Sequence, residues 1–338
     1  MRVLVTGSTG FVGSAVVAEA LHAGHDVAAL VRPASKAPFA SIADHPKLRL
    51  VRADLRDRGS LDGVFSDIDV VIHLAATKAG DFATQFAGTV LATENLLDAL
   101  TDSPVSRLVA VSTFSVYDYS SMPAGSVLDE DSPIDTHPAK RDEYAQTKLI
   151  QERLYREELA RRDVVIIRPG MIYGRDNLWH ALLGGELGPV FLRIGGRSIL
   201  PMTYVENCAE AIVNAVDAPD VAGATINIVD DALPTQAEYI AALSRRTDIP
   251  KSVGVPWPVM KATAKAVAAV NDRFLQGRAK FPGIIVPEKL DGRFKPFRYS
   301  NERARRLLAW TPRFGLDEAF VRSLGDTDLV HARATEQQ

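Results

Sequence analysis

The chain opens "MRVLVTGSTGFVG", residues 1–13, and its reading turns on "TGSTGFVG", Thr6 to Gly13. A run of Val and Leu stops abruptly at Gly7, Gly10 and Gly13. An apolar run closed by glycine and followed by "GSAVVAEALHAG" reads as strand, tight turn and helix, with Gly24 as the stop. The first glycine permits the bend, the second lets the backbone approach a bound diphosphate, and the third lets the helix pack against the sheet. A helix beginning near Phe11 turns its unpaired N–H groups and positive dipole end toward that anion. The stretch therefore predicts a dinucleotide-binding turn built from Gly7, Thr9, Gly10, Phe11, Val12 and Gly13.

Outward from this turn, strand-like and helix-like segments alternate over the first 170 residues. "DVAALVR", "LRLVRADL", "DVVIHLAA", "SRLVAVST" and "VVIIRPG" read as strands separated by helical intervals. Strands apolar on both faces and joined through helices predict an α/β fold with a doubly wound parallel (Rossmann) sheet. Ligands of such sheets sit at the strands' C-terminal ends, which here carry Gly7, Arg32, Asp54, Ala75, Thr113 and Pro169. Residues 1–172 are assigned to the dinucleotide-binding domain, and 204–229 are expected to return to it through "YVENCAEAIVNAVDAP" and "ATINIV". Residues 173–203 and 230–326 are assigned to a smaller mixed α/β substrate-binding lobe, and 327–338 to a frayed tail. The polar, turn-rich run 118–140 reads as a cover or a flexible loop.

The end of the second strand selects the cofactor. A carboxylate there binds the ribose hydroxyls of NAD, whereas an Arg accommodates the 2′-phosphate of NADP. This chain has Val31 then Arg32, so NADP(H) is favoured over NAD(H). An Arg–phosphate bond of about 1.5–3 kcal/mol corresponds to roughly 10- to 100-fold in preference. Asp54, beside Leu55 in "ADLRD", is placed to meet the adenine amino group or to serve as a plain turn residue.

"EYAQTKL" sets Tyr144 and Lys148 four residues apart on one helix face. Oxidising a secondary alcohol needs a base for the hydroxyl proton, and reducing a ketone needs an acid for the oxygen. Bringing tyrosine from about 10 to neutrality asks for roughly 4 kcal/mol. An ammonium about 4 Å away at an effective dielectric of about 20 supplies a term of that order. Tyr144 is therefore assigned as general acid/base, and Lys148 as the group that lowers its pKa and grips the nicotinamide ribose. Thr113, with Ser112 as the alternative, would hydrogen-bond the substrate oxygen.

With these residues in place, the chain resembles the extended short-chain dehydrogenase/reductases, which include NAD(P)-dependent epimerases and dehydratases. The resemblance runs to about residue 325 and is carried by "TGSTGFVG", "ADLRD", "VIHLAA", "TENLLDAL", "VSTFSVYD", "YAQTK", "RPGMIYG", "TYVENCAEAI" and "YSNERARRLLAWTPR". It implies that His73, Leu74, Ala75 and Ala76 line the cofactor, and that Pro169, Gly170 and Ile172 contact its nicotinamide end. It places Ser115 and Tyr117 near the substrate. It also implies a homodimer formed through "TVLATENLLDAL" and "AQTKLIQERLYREEL". The chain departs from the family at Thr89 and Ala92, where Asn and Gly are usual, and at Asp118, where Gly is usual.

Two enzyme readings follow. One is a nucleotide-sugar epimerase or dehydratase, with Arg193 and Arg197 meeting a diphosphate. The other is a net NADPH-dependent reductase or dehydrogenase of a ketone, sterol-like or flavonoid-like compound, with "VGVPWPVMKATAKAVAAV" as an apolar cover. A non-catalytic NADP(H) sensor is the third, and it would have no use for Tyr144, Lys148 and Thr113 together. Net charge is −3, which gives no field for nucleic acid or acidic membranes. Strand-forming residues from position 2, and no apolar run long enough to span a bilayer, point to a cytoplasmic chain. The lone Cys208 and seven unclustered His residues suggest no bound metal.

Overall fold

Val3, Leu4 and Val5 have no exposed surface, and the sheet grows outward from them. The computed structural model describes residues 1–35, 39, 41–274, 276, 278, 281–325 and 327–330. Of the tail 327–338, expected to fray, residues 331–338 lie outside the described residues. Residues 327–330 are instead pinned to the fold: Arg175 pairs with Asp328 at 2.6 Å, and Leu329 N–H donates to Glu206 Oε1 at 3.2 Å. The chain runs β1 (Arg2–Thr6), α1 (Phe11–His22), β2 (Asp26–Val31), β3 (Leu48–Arg52) and β4 (Val70–His73). Helices α2 (Phe82–Phe86) and α3 (Ala92–Leu100) precede β5 (Arg107–Val111). Then come β6 (Val127–Leu128), α4 (Glu143–Glu158), β7 (Asp163–Pro169), β8 (Met171–Tyr173), β9 (Gly185–Leu187), β10 (Val190–Ile194) and β11 (Met202–Tyr204). Helix α5 (Val205–Asp217) and β12 (Thr225–Ile228) follow. The rest is α6 (Gln236–Ser244), β13 (Ser252–Val255), α7 (Trp257–Phe274), α8 (Pro287–Phe294), β14 (Arg298–Tyr299), α9 (Glu302–Leu308) and α10 (Leu316–Leu324).

Seven parallel strands form the main sheet in the order β12-β7-β5-β4-β1-β2-β3, as the apolar alternation predicts. Strand period 2 sorts its side chains: Val3 and Val5 join the layer of α1 and α5, while Leu4 joins the layer of α3 and α4. Each face is thus a dry interface. The order reverses between β1 and β4, which opens a crevice above their C-terminal ends.

A smaller sheet, β13-β10-β9, carries α7 and α8 around Ile194, Met260, Ala264, Leu290 and Phe294. Part of the stretch assigned to the second lobe goes elsewhere. Tyr239 of α6, Leu308 of α9, Trp310 and Phe320 of α10 join the same core as α1 and α5. Apolar faces of those helices need a large surface, and the main sheet layer offers it. The 118–140 run is fastened rather than loose, since β6 pairs in parallel with β14 and Tyr119 packs on Phe297.

Candidate active site

At the crevice, Gly7 adopts φ +64°, and a Cβ there would lie 2.9 Å from the Ala75 nitrogen. A Cβ on Gly13 would sit 2.1 Å from the Gly7 carbonyl oxygen, so helix and turn touch backbone to backbone. Gly10 caps α1 without a side-chain bond, and the first turn holds no acid. The positive end of the helix is therefore free to meet an anion. A cleft of about 930 Å³ extends from this cradle along the strand ends.

Every residue expected at the cofactor lines this cleft except His73: Gly7 and Thr9 through Gly13 at the turn, Arg32, Asp54 and Leu55 at one end, Leu74 to Ala76 beneath, and Ser112, Tyr144, Lys148, Pro169, Gly170 and Ile172 at the other. The turn's Ser8 is the one turn position buried away from it, its hydroxyl donating to Leu30 O. His73 ends β4 with its ring on the inner side, where it meets Thr6 and Thr93. At the Arg32 end, Arg56 chelates Asp54, with Nε at 3.0 Å from Oδ1 and Nη2 at 2.6 Å from Oδ2. That hydrogen bonding holds the Asp54 carboxyl below its ordinary range. Arg56, a second cation on this wall, belongs to the quoted "ADLRD" and was not singled out from sequence.

At the other end, Ser112 and Thr113 diverge. Ser112 donates to Glu152 Oε2 at 2.5 Å, behind the cleft. Thr113 and Ser115 line the same wall as Tyr144, with Thr113 Oγ1 accepting Ser115 N–H at 3.2 Å. The pull expected of Lys148 on Tyr144 is not what this geometry produces. Burial pushes the Tyr144 phenol up to about 12, against the opposing pull of the Thr113 hydroxyl. Burial also pushes Lys148 down to about 7, with Glu152 opposing and Lys78 assisting. The Lys148 amine turns to Val111 O at the end of β5, at 2.8 Å, and to Gln151 Oε1, whose side chain leans back from the next turn of α4.

Behind Ser112 lies a buried ion pair. Arg168 on β7 grips Glu152 through Nε (3.0 Å) and Nη2, and its Nη1 donates to Tyr117 Oη at 2.9 Å. Tyr117, expected at the substrate, is fully buried here and donates to Asn227 Oδ1 at 2.7 Å. It turns inward because Arg168 needs an acceptor and an aromatic face, which lies 4.8 Å from the guanidinium carbon.

Arg193 and Arg197 do not line the cleft, nor does any residue of 252–274; both arginines lie on β10 and its following turn, in the outer sheet. The cations that do line its far end are Lys78, Arg141, Lys289, Arg293 and Lys295. Those on and after α8 carry no local motif. Only the fold brings 289–295 across from Tyr144. Asp118, expected to alter the rim, instead accepts the N–H groups of Ser120 and Ser121.

A glycine cradle against a helix N-terminus, with a tyrosine, a lysine and a threonine hydroxyl at the far strand ends, defines a nicotinamide-dinucleotide-dependent enzyme site. The chain belongs to the NAD dependent epimerase/dehydratase family, whose sequence model matches residues 3–229. It is an NAD(P)-dependent enzyme of that family. It is 30% identical to a 3-diazoavenalumate denitrifying reductase of Streptomyces sp, over 81% of this chain and 93% of that one. It is 28% identical to the 3 beta-hydroxysteroid dehydrogenase/Delta 5-->4-isomerase of Mycobacterium tuberculosis, over 96% of this chain and 89% of that one. In fold it is similar to the UDP-glucuronic acid 4-epimerase of Bacillus cereus solved with NAD, at TM-score 0.69 and 21% identity, covering 94% and 96% of the two chains. Among the described residues, no helix is long and apolar enough to cross a membrane.

Proposed function

We propose that the enzyme exchanges a hydride with a secondary hydroxyl or ketone of a nucleotide-sugar, running as an epimerase or dehydratase. The observation that carries this reading is the far end of the cleft, where Lys78, Arg141, Lys289, Arg293 and Lys295 stand against Asp142 and Asp291. Asp142 caps α4 and pairs with Arg293 at 3.8 Å, Asp291 pairs with Lys261, and Arg141 is itself held by Asp135 at 2.8 Å. Lys78, Lys289 and Lys295 are therefore the cations here without an ion pair among the described residues. A diphosphate on the substrate would neutralise the cations that remain. In this reading the lobe around α8 binds the substrate.

The nicotinamide, when bound, supplies or accepts the hydride. Tyr144 gives or takes the hydroxyl proton at its phenol oxygen, and Thr113 holds the substrate oxygen beside it. Lys148 donates to the nicotinamide ribose. Incubation with UDP-glucose, UDP-glucuronic acid or dTDP-glucose and a catalytic amount of NAD+ or NADP+ tests the reading. An isomerised or dehydrated sugar, with no net change in cofactor absorbance, is expected from at least one of them. Failure on all three, with a simple ketone consuming NADPH mole for mole, would overturn it.

That net reductase is the second reading, favoured by Arg32 and Arg56 on the adenosine wall. NADP(H) is the cofactor proposed under either. Arg32→Ala should weaken NADPH binding by about 10- to 100-fold and leave NADH binding within about twofold. Fluorescence titration with both cofactors checks this, and equal losses for the two would return Arg32 to a solvent role. A homodimer is proposed through the α3–α4 face, beside which Phe82 and Leu91 are exposed. Sedimentation of the purified chain checks that.

A further inference from the structure

Lys148 is held by a residue that the proposed chemistry does not use. Gln151, one turn further along α4, is fully buried and accepts from the Lys148 amine through Oε1. Its Nε2 donates to Thr93 Oγ1 at 2.8 Å and to Ala75 O at 3.3 Å.

The proton count fixes which way this amide faces. Thr93 spends its single hydroxyl proton on Thr89 O at 2.6 Å, so toward every other partner it accepts. It therefore receives Gln151 Nε2–H, and also His73 Nε2–H at 2.9 Å. His73, with that nitrogen protonated, must accept at Nδ1, where Thr6 Oγ1 stands at 2.7 Å. Burial keeps the ring neutral, holding its pKa near 3. Thr6 in turn accepts the N–H groups of Leu74 (3.2 Å) and Ala75 (3.3 Å) at the floor of the cofactor cleft. Each donor has one acceptor and each acceptor has a donor, so the Gln151 oxygen has no orientation open to it but toward Lys148.

We infer that Gln151 is the positioning residue of Lys148, and that Thr6, His73 and Thr93 lock its carbonyl oxygen toward the amine. The inference rests on the proposed role of Lys148 at the nicotinamide ribose. With Val111 O and Gln151 Oε1 as two acceptors, the amine keeps one further N–H for the cofactor. The chain also ties that amine to Thr6, the residue that opens the glycine turn, so both ends of the cofactor site share one hydrogen-bonded frame. The charged and titratable groups facing Lys148 are Glu152 on its own helix, Lys78 from the segment after β4, and the neutral His73.

The test is the pH dependence of NADH binding, followed by fluorescence from about pH 6 to about pH 9, across the range where a buried amine titrates. NADH is chosen because it lacks the 2′-phosphate that titrates near 6. Wild type should lose affinity as Lys148 gives up its proton. Gln151→Met removes the acceptor and should move that midpoint down by about half a unit or more, with about 5- to 10-fold weaker binding at neutrality. Gln151→Glu, which puts a carboxylate in the same place, should move it up by about one unit or more.

A midpoint that stays put in both variants, with only the melting temperature lowered, would overturn the inference and leave Gln151 a packing residue. Should Gln151→Met fail to fold, Thr93→Val carries the same test. It keeps Gln151 but removes the hydroxyl that orients it, so the midpoint should fall less far and in the same direction. Lys148→Met separates this inference from the reading beneath it. A flat pH profile is expected there, and an unchanged one would sink the role given to Lys148 itself.

Discussion

Tyr144→Phe is expected to cut turnover by about 100- to 10,000-fold, the span that a positioned general acid or base contributes. Cofactor affinity should stay within about twofold, because the ring remains and only the hydroxyl leaves. The variant thus separates catalysis from binding. The phenol sits high, near 12, because burial outweighs the pull of the Thr113 hydroxyl. Its proton therefore does not leave at neutral pH without a nearby positive charge. An oxidised nicotinamide, when bound, would provide it. Steady-state rates for the sugar found active, measured beside NADPH titration, check the expectation. Equal rates in wild type and variant would show that the hydroxyl carries no proton.

The second large effect concerns stability. Arg168→Met should cost up to about 3–5 kcal/mol, the range for breaking a buried ion pair, because Glu152 then keeps only Ser112 and the half-exposed Arg156 at 2.9 Å. The arginine is 1% exposed and holds both oxygens of Glu152 while donating to Tyr117. A shift in melting temperature of about 4–7 °C follows for a chain of this size. Glu152→Leu added to Arg168→Met should recover much of the loss, since an apolar pair of similar volume avoids desolvation. Burial alone would raise the Glu152 carboxyl, but Arg168 and Ser112 outweigh it and hold it below its ordinary value. A group depressed on folding stabilises above its unfolded pKa, near 4.3, and loses that contribution as pH falls through the folded value. Wild type should therefore lose stability more steeply than the double variant below about pH 4. Thermal melts across that range read both effects.

The sheet and the cofactor wall were legible because their signals are local. Glycine spacing, strand runs and a Tyr–Lys pair one turn apart each depend on residues within a dozen positions. His73 and Tyr117 were misplaced for a different reason. A strand end offers two faces, and motif position does not say which one a side chain takes; His73 follows the inward parity of β4, and Tyr117 is drawn in by Arg168. Lys289, Arg293 and Lys295 were invisible because their meaning comes from α8 crossing over Tyr144, some 145 residues away in sequence. Gln151 carries no signal of its own. It gains one only when Thr93 and His73, from two other elements, close around it.

The pairing of β6 with β14 has a consequence for how the chain is made. Val127 and Leu128 find their partners only in Arg298 and Tyr299, about 170 residues later. Asp131, just past β6, likewise awaits Arg303, whose Nη2 reaches both its oxygens at 3.0 Å. At synthesis rates of about 5–20 residues per second, that interval lasts on the order of 10 to 30 seconds. Throughout it, Phe114 and Tyr119 lack the Tyr299 and Phe297 rings that cover them in the finished fold. A nascent chain at this stage exposes an aromatic cluster beside a half-built cleft, the kind of surface that holding chaperones grasp. Completion of the wall around Tyr144 is among the last events of its biogenesis, and a ribosome stalled before residue 297 would release a chain prone to aggregate.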